Sequence, residues 1–75
     1  MITEQLTPRV TRMSEYTAEC TCHIFSLDGV EVLQAYKGYW YASGPVYSEI
    51  WSAGTRKEIT KEAFNAELNR ILSLN

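Results

Sequence analysis

The stretch CTCHIFSLDGVEVLQAY, residues 20–36, decides the fold. Apolar runs flank Asp28-Gly29, a dipeptide suited to the positive backbone φ angles of a two-residue hairpin turn. On the upstream side the chain alternates. Ala18, Cys20, Cys22 and Ile24 point one way and Glu19, Thr21, His23 and Phe25 the other, the period of a β-strand. A two-residue loop sets Leu27 against Val30 and fixes the register. Counting outward, Phe25 meets Val32, Ile24 meets Leu33, His23 meets Gln34 and Cys22 meets Ala35. One face then carries Cys22, Ile24, Leu33 and Ala35, and the other Phe25, Leu27, Val30 and Val32. Both faces are partly apolar, so both call for cover.

Downstream lies YKGYWYASGPVYSEIW, residues 36–51, which holds six of the nine aromatic residues of the chain. Lys37-Gly38 reads as a second tight turn leading into a strand YWYA, or else as a bulge in one longer strand. The break at residues 43–45 precedes a further strand, VYSEIW. The meander of three or four strands is the preferred reading. Upstream, residues 1–14 are polar and interrupted by Pro8, and read as an arm with a short edge strand at Val10–Met13.

The last segment, EITKEAFNAELNRILSLN, reads as a helix over residues 60–73. Thr60 supplies an N-cap, and Ile59 with Phe64 suits a hydrophobic staple. Glu62 and Arg70 match the two ends of the helix dipole. Phe64, Leu68, Ile71 and Leu72 recur on one stripe, leaving Lys61, Asn65, Asn69 and Ser73 for water. The fold class is α+β: one domain over residues 1–75, with an antiparallel meander at 16–51 packed by one C-terminal helix in β-β-β-α order.

A chain of 75 residues buries only about 60–65% of its unfolded surface, so its margin of stability is thin. Small domains of this kind commonly lean on disulfides, a metal or a second subunit. No apolar run reaches membrane-spanning length, and the opening residues lack the pattern of a secretory signal. The expectation is a cytoplasmic, non-secreted protein without a membrane span.

The net charge is −2, and the seven basic residues are scattered, with no run longer than Arg56-Lys57. Nucleic-acid binding draws most of its affinity from phosphate neutralisation and leaves a basic footprint, which is missing here.

Catalytic and metal motifs are equally sparse. In CTCH, residues 20–23, Cys20 and Cys22 share a strand face while His23 points to the opposite one, so they do not converge on a metal. Free thiols serving as small apolar side chains are the simpler reading. His23 is the only histidine, and the neighbours expected on its face include no nucleophile or carboxylate pair. The glycines stand singly, so no phosphate loop is present. Neither an enzyme nor a cofactor is expected.

The aromatics remain. On the meander, Tyr39 and Tyr41 share one face and Trp40 takes the other. Two opposed aromatic sets do not fit beneath one helix, so one set is left for a second subunit, a partner or the N-terminal arm. The expected function is a non-enzymatic protein-binding module, a small inhibitor or regulator of the kind found in phages and mobile elements. It would occupy the surface of a larger partner through Tyr39, Trp40, Tyr41, Tyr47 and Trp51. A homodimer is expected on grounds of size. The alternative is a small dimeric nucleic-acid-binding or transcription-regulating protein using Arg9, Arg12, Arg56 and Lys57.

Overall fold

The computed structural model describes residues 1–18, 21–43 and 56–74. Among these residues six antiparallel strands lie side by side in chain order and a single helix follows. The strands are β1 (Ile2–Gln5), β2 (Val10–Tyr16), β3 (Thr21–Leu27), β4 (Val30–Tyr36), β5 (Tyr39–Ser43) and β6 (Arg56–Ile59). The helix, α1, spans Lys61–Leu72. The α+β class and the C-terminal helix agree with the sequence; the expected three or four strands become six among the described residues.

The two added outer strands have separate causes. The strand read at Val10–Met13 is present as the first part of β2, but it is not an edge and the residues before it are not a loose arm, because β1 and β2 form a hairpin from Ile2 opposite Ser14 to Gln5 opposite Thr11. Pro8 sits in its connection, where no ladder hydrogen bond is needed from it. There the Thr7 hydroxyl accepts from the backbone N–H of Arg9 and Val10, at 3.1 and 3.0 Å. Leu6 N–H donates to the Val10 carbonyl at 2.9 Å. At the far edge β6 pairs with β5, from Trp40 opposite Ile59 to Ser43 opposite Arg56. The sequence break at 43–45 and the strand read at 46–51 lie outside the described residues, apart from Ser43 at the end of β5.

Both tight turns are present. Asp28 and Gly29 have φ of 52° and 83°, and Lys37 and Gly38 have 51° and 79°. Positive φ at both central residues is the type I′ pattern, whose twist suits a hairpin. Lys37-Gly38 is therefore a turn and not a bulge.

The register of the central hairpin departs from simple counting. Leu27 does face Val30, but Ser26 faces Glu31 and Phe25 faces Leu33, so Val32 is an extra residue on β4. Beyond this bulge every pair moves by one: Ile24 meets Gln34, His23 meets Ala35 and Cys22 meets Tyr36. The shift corrects the face assignment. Opposed residues in an antiparallel sheet share a face, so Phe25, Leu33 and Ala35 now lie together, with Ala42 opposite Leu33 and Trp40 opposite Ala35. The bulge also lets Val32 and Leu33, which are neighbours in sequence, both be buried.

The helix covers that face. Phe64 and Ile71 enter a core with Val10, Phe25, Val32, Leu33 and Ala42, with Leu68, Leu72 and Ile59 packed around it. Phe64 meets Phe25 edge to face at 5.9 Å between ring centres. The Thr60 hydroxyl accepts from Ala63 N–H at 3.1 Å, giving the expected N-cap. Glu67 is buried too, held by Arg70 one turn on.

Candidate functional site

With α1 on one side, the pleat defines what the opposite side presents. Register places Met13, Glu15, Cys22, Ile24, Gln34, Tyr36, Tyr39 and Tyr41 there. Among the described residues no helix or strand lies over this face. Tyr39 is 55% exposed and Tyr36 36% exposed, while Tyr41, Met13, Ile24 and Cys22 are half-buried. Tyr36 and Tyr39 face each other across the Lys37-Gly38 turn, and the Lys37 ammonium lies 5.5 Å from the Tyr36 ring centre.

The face has an apolar end as well. Met1, Met13, Glu15, Cys22 and Ile24 line a shallow hollow enclosing about 220 Å³ that includes open solvent. The Cys22 thiol is free and accepts from Gln34 Nε2 at 3.3 Å. Flexible thioethers and half-exposed rings adapt to a partner without a large rotamer cost.

The five residues singled out in the sequence are distributed unevenly. Tyr39 and Tyr41 stand together on the uncovered face. Trp40 lies on the helix side, half-buried against the core, with the Lys61 ammonium 5.9 Å from its ring. Tyr47 and Trp51 lie outside the described residues, as does Cys20. The face also recruits Tyr36, Met13 and Ile24. Tyr36 could have been found from the turn pairing, whereas Met13 needed the β2–β3 register, and no turn signal near residues 17–20 announces that.

His23 acquires neighbours that the counted register did not give it. Ser14 lies opposite on β2 and Ala35 on β4. Ser14 Oγ is 2.8 Å from His23 Nδ1, and Tyr16 meets the imidazole edge to face at 5.9 Å. A serine–histidine contact is the core of many acyl-transfer sites. Here the hydroxyl has no accessible surface, so it does not reach an external carbonyl, and the bond satisfies a buried polar group instead. Among the described residues no three His, Cys, Asp or Glu side chains are grouped to hold a metal.

Arg9, Arg12 and Arg56 are engaged within the fold. Arg9 makes paired hydrogen bonds to Asp28, Arg12 meets Glu4 at 2.8 Å, and Arg56 reaches Glu31 at 2.8 Å. The hydrogen bonds from Arg9 hold the Asp28 carboxyl below its ordinary value. Three of the four residues named for phosphate contact are thus already countered by carboxylates. No helix among the described residues is long and apolar enough to cross a membrane.

Compared with protein-family models, with curated proteins and with solved structures, the chain matches none.

Proposed function

We propose that this protein is a non-enzymatic protein-binding module, a small inhibitor or regulator that acts by occupying the surface of a larger protein. Its contact surface is the sheet face opposite α1, centred on Tyr36, Tyr39 and Tyr41 and continued by Met13, Cys22 and Ile24. The observation that carries this reading is the one-sided helix. It buries Phe25, Leu33 and Ala42 while the tyrosine-bearing face has no cover among the described residues. Tyrosines with an apolar ring and a polar tip suit a surface that is wet when free and buried when bound.

The nucleic-acid alternative has less support, because Arg9, Arg12 and Arg56 are paired with acids. Binding phosphate would mean giving up those pairs.

The test is retention of a partner from an extract of the source cells on immobilised protein, across a salt series. A partner held at high salt by wild type, lost with Tyr39→Ser and Tyr41→Ser, and kept by the helix-surface variant Asn69→Ser supports the reading. Retention indifferent to the tyrosines overturns it, as does a bound species that is nucleic acid released steeply by salt.

A further inference from the structure

We infer that a second copy of this chain adds to the outer edge of β1, giving a two-fold dimer with one sheet continuous across the two subunits. The two edges of the sheet are unequal. An edge strand presents a row of backbone donors and acceptors, which proteins commonly guard with charge. At one edge, three of the four positions of β6 are charged and exposed: Arg56, Lys57 and Glu58. The other edge is β1, with Ile2, Thr3, Glu4 and Gln5, and no strand among the described residues lies on its outer side. Its single charged side chain is Glu4, which meets Arg12 at 2.8 Å, just as Arg56 meets Glu31 at 2.8 Å on the other edge, where Lys57 and Glu58 add two further charges. Met1 and Ile2 on this edge are 82% and 53% exposed. One edge carries three charged side chains and the other one.

Self-pairing also has one favoured register. In antiparallel pairing about a two-fold axis normal to the sheet, opposed residues must share a face. Ile2 and Glu4 share the helix face, and Thr3 and Gln5 share the other. Centring the axis on Glu4 would oppose two carboxylates, which destabilises. Centring it on Ile2 would leave most of the strand unpaired. Centring it on Thr3 sets Thr3 against Thr3 of the partner subunit and Glu4 against the partner's Ile2. This pairs the strand over Met1–Gln5 and keeps like charges apart. Cross-strand threonine pairs are themselves favourable. The same axis puts both helices on one side and both tyrosine faces on the other, so dimerisation leaves the proposed contact face free. The inference does not depend on what that face binds.

Sedimentation over a concentration series tests it, with wild type, Thr3→Lys and the helix-surface control Asn65→Lys. Wild type and Asn65→Lys should form dimers. Thr3→Lys should need roughly fivefold or more higher concentration, because it opposes two ammonium groups at the axis. Thr3→Cys supplies an independent readout should Thr3→Lys fold poorly. Opposed Cα atoms at about 4.5–5.5 Å lie within disulfide reach. Mild oxidation should therefore link two chains through residue 3, as identified by peptide mapping. Gln5→Cys should not link to itself, since its symmetry mate lies about 13 Å away at about 3.4 Å per residue. A wild type that stays monomeric overturns the inference. So does a dimer that ignores Thr3→Lys and yields no Thr3→Cys link.

Discussion

Phe25 stands directly opposite Leu33 on the neighbouring strand, with Val32 displaced as the extra residue of a bulge. That one offset sends Phe25 and Leu33 beneath the helix and leaves Ile24 and Cys22 on the open face. Leu33 has no accessible surface, so Leu33→Ala should lower the unfolding free energy by about 2–5 kcal/mol. Ile24→Ser, half-buried on the uncovered side, should cost about 1–2 kcal/mol, less than the loss at Leu33. Urea denaturation of the two variants measures both. Equal losses would mean that the second face is also packed.

Trp40 and Tyr39 are sequence neighbours with opposite duties. Trp40 is packed against the core, and Trp40→Ala should destabilise by about 2 kcal/mol, less than for a fully buried ring. Tyr39→Ser should leave the unfolding midpoint within about 0.5 kcal/mol of wild type while abolishing retention of the partner. Denaturation curves and the binding assay, run on the same preparations, separate the two effects.

How much of this was legible in the sequence depended on where the signal was local. The helix, its Thr60 cap and the Asp28-Gly29 turn follow from short-range chemistry and were readable, whereas Lys37-Gly38 stayed open between a turn and a bulge until the backbone φ angles decided it. The β1–β2 hairpin was not readable. In VTRMSEY one face holds Val10, Arg12 and Ser14 and the other Thr11, Met13 and Glu15, a weak apolar contrast, so only Val10–Met13 was read as a strand, and as an edge one. Its strand character comes from pairing with β3. Nor can counting from a turn reveal a bulge, and the bulge at Val32 moved Leu33 and Ala35 to the face of Phe25. The contrast between Tyr39 with Tyr41 and Trp40 survived because these residues are consecutive on one strand. Which of those two faces the helix takes depended on the register beyond the bulge.

Arg9 and Asp28 tie the connection before β2 to the turn between β3 and β4. Asp28 N–H also donates to the Arg9 carbonyl at 2.8 Å. The folded carboxyl is held below its ordinary value of 3.8 by the Arg9 hydrogen bonds. Its contribution is therefore complete above about pH 3.8 and is lost as pH falls through the lower folded value. Both side chains are substantially exposed, so the contribution is small and screened by salt. Asp28→Asn keeps a residue tolerant of positive φ. It should remove this part of the acid sensitivity while leaving the turn intact, as followed by thermal melts between pH 2 and 6, an interval taken at roughly two units either side of the carboxylate value.

Thr60 closes the first turn of the helix through Ala63 N–H. Thr60→Ala should lower stability by about 1 kcal/mol, and Thr60→Ser should restore most of it. Chemical denaturation checks the pair. No loss in Thr60→Ala would mean that the helix end is held by packing of Ile59 and Phe64 alone.

The central claim is that the face opposite α1 is open in the free protein and is the surface a partner takes. Residue-resolved tyrosine modification of the native protein, read by mass spectrometry with and without bound partner, tests it most directly. The account predicts fast reaction at Tyr36 and Tyr39 in the free protein, slower reaction at Tyr41, and protection of all three on binding. Slow reaction at Tyr36 and Tyr39 in the free protein, or no change when the partner binds, would contradict it.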